Sequence, residues 1–395
     1  MPPPACSLTP ARVTNAMWDY SWLYQHYEGG AFADWDRCLD ELVERGFGAV
    51  RIDAFPLIIG KLAHLDDEVT FASAPHDTWG PRDRPRRHCV PQSLLAFVRK
   101  AAARGLQVIL SSWDQNCVEW PDLRAAYAPD PLLLADAWTK TLRLLGDHDL
   151  LRHVLYVDID QEFPYFSPFR PELDRLGKIA VGPGNGNEME AAGRRETGPA
   201  LVWNPAQSAF IRQMLETTIG SLQERFPELK FTISLVALLP EIRALHLSCL
   251  DVLELHFWMH SPAFDRRLGF QAQRKDRTNQ DGHAYQKRID ATLLSSGAAL
   301  EKQMRNQLAY GRAWADELGI PLTTTEAWGP WWHMDGPGFR WEWLKEWCAY
   351  GHGTLAREYG LWSSTPWNFA HPYWENWSDI AWYQQTNAAY LAASS

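Results

Sequence analysis

The chain has 395 residues, with 38 Lys and Arg against 48 Asp and Glu, a net charge of −10. That length suits one large α/β barrel or two medium domains, and the acidic balance argues against nucleic acid or an anionic membrane as the main partner. No run approaches the roughly 18 apolar residues of a membrane span, and the start, MPPPACSLTP, has neither the basic nor the apolar region of a signal peptide.

Short apolar segments rich in Val, Ile, Leu, Thr and aromatics recur along the chain and read as strands. In order they are Asn15 to Leu23, Gly48 to Phe55, Leu106 to Asp114, His153 to Phe163, Leu229 to Val236, Asp251 to Trp258, Ile320 to Trp328 and Gly360 to Trp367. Amphipathic segments lie between them. FADWDRCLDELVERG places Phe32, Trp35, Cys38, Leu39 and Leu42 on one helical face and ends at Gly46. SLLAFVRKAAARG ends the same way at Gly105, and Ala298 to Gly319 reads as a long helix entering the seventh strand. Strand–helix alternation implies a parallel sheet. Eight units predict a single (β/α)₈ TIM barrel over residues 1–395.

Turns entering strands are short, as at Glu44-Arg45-Gly46, whereas the segments after strands two, four and six are long. In such barrels the loops after the strands carry the chemistry. Two glutamates end strands on that face, Glu162 in VDIDQEFP and Glu326 in TTTEAWGPWW. A carboxylate ending an apolar strand is costly unless paired or used. Strands four and seven lie on opposite sides of a barrel mouth, so the two can converge. Two carboxylates across a sugar are the minimal machinery of glycoside hydrolysis.

Alternation adds a second argument. Arg51 and Asp53 share one face of their strand, Asp158, Asp160 and Glu162 share another, and Glu254, His256 and Trp258 a third. Leu253, Leu255 and Phe257 then face the helices, and the polar set fills the barrel. Composition agrees: 21 Trp are roughly 5% of the chain, several times ordinary usage. Indole rings suit a ligand with one flat apolar face and a wet rim, which describes a sugar.

These strand-end residues resemble clan A of the glycoside hydrolases, close to the family 5 cellulases and the cellulase-like proteins around them. The resemblance spans about Asn15 to Trp382. It implies that Glu162 is the acid/base and Glu326 the nucleophile of a retaining β-glycosidase. It implies sugar contacts from Arg51 in its VRI context, His256 in ELHFW, and Trp362 or Trp367 on strand eight. Trp22, Trp113, Trp258, Trp328 and Trp331, with Trp18, are further candidate sugar-binding residues.

Three positions depart from the clan. Gln161 stands where the clan has Asn, Trp258 stands where it has Tyr, and Ser112-Trp113-Asp114 replaces its usual strand-three His. Gln161 remains a candidate sugar contact. The expected partner is a small soluble carbohydrate, with no cofactor and no metal, since strand one carries no HxH ligand pair. The six cysteines are scattered without a CxxC, which suits free thiols in a cytoplasmic protein. A non-catalytic carbohydrate-binding barrel is the alternative reading.

Overall fold

The computed structural model describes residues 11–74, 81–113, 115–127, 130–177, 180–182, 200–236, 240–259, 281–330 and 332–392. Eight parallel strands form the inner layer: β1 (Val13–Asp19), β2 (Ala49–Asp53), β3 (Gln107–Ser111), β4 (Val154–Asp158), β5 in two pieces (Phe231–Thr232 and Ser234–Leu235), β6 (Leu253–Leu255), β7 (Leu322–Thr324) and β8 (Ser363–Ser364). Each pairs in parallel with its neighbour, from the second piece of β5 through β6, β7, β8, β1, β2, β3 and β4 to the first piece of β5. The two pieces flank Ile233, so the sheet closes on itself as the (β/α)₈ barrel predicted.

Helices clothe it: α1 (Trp35–Glu44), α2 (Val90–Ala102), α3 (Pro131–Gly146), α4 (Pro205–Arg225), α5 (Gly282–Leu318), α6 (Glu342–Tyr350) and α7 (Ile380–Leu391). Asp34 caps α1 by accepting from Arg37 N, and Gly46 adopts φ +81° just beyond it. The helix entering β7 starts sixteen residues earlier than Ala298, at Gly282, capped by Asp281. Its added turns bury Tyr285, Ile289 and Thr292 at helical spacing, and Tyr285 and Ile289 pack with Met259, Leu300 and Trp332 into a small second core. Near its far end α5 presses on the barrel through Gly311, where a Cβ would stand 2.9 Å from Leu255 and 3.3 Å from Phe257. Leu255 and Phe257 therefore face the helices, and Glu254 and His256 face inward.

One apolar cluster runs from Ala16 to Tyr390 between strands and helices. Among the described residues no helix is long and apolar enough to cross a membrane, and the described cysteines, Cys38, Cys89, Cys117, Cys249 and Cys348, are free.

Candidate active site

A single guanidinium organises the upper barrel. Arg51, in the middle of β2, is fully buried. Its Nε lies 2.9 Å from Asp19, its Nη1 3.2 Å from Glu254, and its Nη2 donates to Glu326 Oε1 at 3.1 Å. Nη1 also donates to Thr325, whose hydroxyl donates in turn to Glu254. A buried cation is tolerated only with such partners. β1 contributes because its register slips between Met17 and Asp19, where Asp19 takes φ +35° and turns inward.

The end of β4 departs from simple alternation. Asp158 accepts from Ser234 N at 2.8 Å, and Asp160 accepts from Ser167 at 2.5 Å, which ties down the following loop. Glu162 then adopts φ +51°, a left-handed conformation that non-glycine residues take at a cost of about 1–2 kcal/mol. The kink lets consecutive side chains both reach the mouth. Gln161 donates from Nε2 to Glu326 Oε1 at 2.8 Å, while its Oε1 accepts from Ser234 at 2.9 Å. Glu162 reaches His256, whose Nδ1 lies 3.1 Å from Glu162 Oε1 and 3.6 Å from Glu326 Oε2. Nε2 of the same ring is 3.8 Å from Glu254.

These contacts set the charges. Burial pushes Glu326 up to about 8, assisted by Glu162 and Asp19 and opposed by His256 and Arg51. Burial also opposes charge on His256, but Glu326, Glu162 and Glu254 outweigh it and push the ring up to about 10. Glu254 is desolvated too, yet His256, Arg51 and Thr325 hold its carboxyl below the usual range. Asp158 is pushed up to about 7 by burial and by Glu254.

Donor atoms of Glu162, His256 and Glu326 all lie within 4.8 Å of one another, the spacing of a possible ion site. Arg51 and Gln161 already occupy Glu326 Oε1. A cation there would face a fixed positive charge 3.1 Å from one of its ligands, so the donor set suits an organic substrate better than a metal.

A family model described as "Cellulase-like: Sugar-binding cellulase-like" matches residues 15–390. The chain belongs to the cellulase-like family. Among solved structures it is similar to a candidate glycoside hydrolase from Parabacteroides distasonis, with 24% identity over 96% of this chain and 94% of the other at a TM-score of 0.77. It is also similar to a hyperthermophilic endo-β-1,4-glucanase, with 14% identity over 97% and 96% of the two chains and a TM-score of 0.50. At such identities the likeness is one of fold. None of the curated proteins compared with the chain matches it.

In this cellulase-like barrel the tryptophans divide unexpectedly. Trp113 and Trp258 stand near the carboxylates. Trp258 lies edge-on to His256 at 6.3 Å, and Trp113 donates from its backbone to Asp53 and contacts Tyr20 and Phe166. Trp18, Trp22, Trp328 and Trp367 lie instead in the layer between strands and helices, fully buried. Three of them cap main-chain carbonyls: Trp18 donates to Ala370, Trp22 to Asp53 and Trp328 to Thr365. Trp367 donates to Tyr383 of α7 and packs on Trp382. Trp362 precedes β8 and packs with Ala49, Ile109, Tyr156 and Val252, at the opposite end of the barrel from the glutamates. Neither strand-eight candidate therefore floors the pocket. Ser364 of β8 faces outward to His352, and Trp367, three residues on, faces outward as well. Trp331 lies outside the described residues.

Sequence reasoning gave Asp19 and Ser234 no role. A bulge places the first and a broken strand the second, and neither has a composition signal.

Proposed function

We propose that this protein is a retaining β-glycosidase, with Glu326 as nucleophile and Glu162 as acid/base. The observation that carries the reading is the convergence of both glutamates on one histidine, with oxygens within 4.8 Å. Retaining enzymes hold their carboxyl groups about 5–5.5 Å apart, whereas inverting ones need room for a water between them. In the first step Glu326 attacks the anomeric carbon, the glycosidic C–O bond breaks, and Glu162 gives its proton to the departing oxygen. In the second, Glu162 takes a proton from water as that water attacks the same carbon and releases Glu326. Arg51 and Gln161 favour the ionised nucleophile by donating to it. Trp113 and Trp258 are the aromatic candidates for sugar contact.

Purified protein assayed on a panel of aryl β-glycosides and disaccharides tests this. Glu326→Ala should lose turnover on every substrate. Glu162→Ala should still form the glycosyl-enzyme from good leaving groups and should be rescued by azide as the β-glycosyl azide. An α-azide from Glu162→Ala would reverse the two roles.

A non-catalytic sugar-binding barrel is the second reading. It is favoured by the proton that Glu326 keeps up to about 8, which leaves it a poor nucleophile at neutral pH in the free protein. Saturable sugar binding without turnover of any panel member would select it.

A further inference from the structure

Glu254 has no part in the two chemical steps, yet it is fully buried directly beneath them. It sits on β6 two residues before His256, so both side chains point into the barrel. Its Oε1 lies 3.8 Å from His256 Nε2, an ion-pair distance, while the other ring nitrogen faces Glu162 at 3.1 Å and Glu326 at 3.6 Å. A neutral imidazole carries one N–H and one bare lone pair. Here a bare nitrogen on either side would point at a carboxylate. A ring with protons on both nitrogens meets both sides with a donor.

We propose that Glu254 is a positioning residue that holds the His256 ring as an imidazolium between Glu162 and Glu326. The remaining charged and titratable groups around this cluster agree with it. Asp19 from β1, Arg51 from β2, Tyr156 and Asp158 from β4 and Glu326 after β7 all lie around it, and among the described residues Arg51 is the other cation there. Arg51 and Thr325 both contact Glu254 Oε1, which fixes the carboxylate beside the ring. The imidazolium then gives Glu162 a fixed donor and offsets the mutual repulsion of the two reacting carboxylates. That donor favours the ionised form of Glu162, the form that takes a proton from water in the second step. This role deepens the glycosidase reading and rests on it.

The test is the titration of the His256 ring by NMR of ¹⁵N-histidine-labelled protein, with the signal assigned by its loss in His256→Asn. Both ring nitrogens of the unmodified protein should carry protons at neutral pH. In Glu254→Gln the ring should titrate lower by about one unit or more. On a glycoside with a good leaving group, where breakdown of the glycosyl-enzyme limits turnover and Glu162 acts as base, kcat should fall about 10- to 100-fold, a share of the roughly 10²–10⁴-fold that general acid–base help supplies. Glu254→Asp keeps the charge for Arg51 but draws the carboxylate back from His256. It should lower the ring's titration less, and it serves where Glu254→Gln does not fold. A ring already neutral at neutral pH, or a titration unchanged in these variants, overturns the proposal. The ring readout needs no turnover. If it behaves as stated while no glycoside is cleaved, the tether stands and the glycosidase reading falls.

Discussion

The side chain of Gln161 bridges Ser234 and Glu326, accepting from the first at 2.9 Å and donating to the second at 2.8 Å. The residue next to the proposed acid/base therefore tethers the proposed nucleophile, and the extra methylene relative to Asn supplies the reach. A hydrogen bond to a charged group contributes about 1.5–3 kcal/mol. Gln161→Leu should thus lower kcat/KM roughly 10- to 100-fold. Ser234→Ala, which frees the amide without removing it, should cost less. Steady-state kinetics on one aryl glycoside would check the ranking.

The proton on Glu326 has a consequence for stability. The folded carboxyl keeps it to about 8, whereas the unfolded chain releases it near 4.5. Between those values folding takes up a proton, so the stability linked to this group is full below 4.5 and is lost as pH rises toward 8. Glu326→Gln cannot ionise and leaves Arg51 paired with Asp19 and Glu254. Its gain over the unmodified protein should grow with pH, reaching about 1–4 kcal/mol on the alkaline side. Denaturant melts at pH 5 and pH 8 would show it, and an equal gain at both would contradict the displaced titration.

The same displacement should appear in kinetics. A nucleophile must be ionised, so the acid limb of kcat/KM should lie well above the ordinary 4.5 of a glutamate, toward 8. A pH profile flat down to the ordinary carboxylate range would mean that Glu326 ionises far more easily than its burial implies.

Two tryptophans near the same strand ends should answer differently. Trp328 is fully buried, lies face to face with Phe257 and caps Thr365. Trp328→Ala should cost about 3–5 kcal/mol of stability. Trp258 stands beside His256, so Trp258→Ala should chiefly raise KM. Thermal melts set beside KM values separate the two outcomes.

The barrel was legible because eight apolar strands alternate with amphipathic helices and short entering turns, and each depends only on local pattern. Inward alternation on β2 and β6 was legible for the same reason. It fails after β4, where the left-handed Glu162 sends Gln161 and Glu162 into the same mouth. It fails again at β8, where two residues of ladder are too short to fix the facing of Trp362 and Trp367. Tryptophan abundance misled for a physical reason. Strand-end and loop carbonyls lack ladder partners, and buried indole N–H groups satisfy several of them, as Trp22 does for Asp53 and Trp138 for Ile159. That duty looks the same in a composition as a sugar platform does.

The most direct test of the account is covalent capture. An activated 2-deoxy-2-fluoro β-glycoside, made from whichever sugar the aryl panel identifies, slows the second step more than the first and should leave the glycosyl-enzyme in place. Intact-mass measurement followed by peptide sequencing should find one sugar per chain, esterified to Glu326. A label on Glu162, or turnover of the parent glycoside with inverted product and no label on any residue, would contradict it.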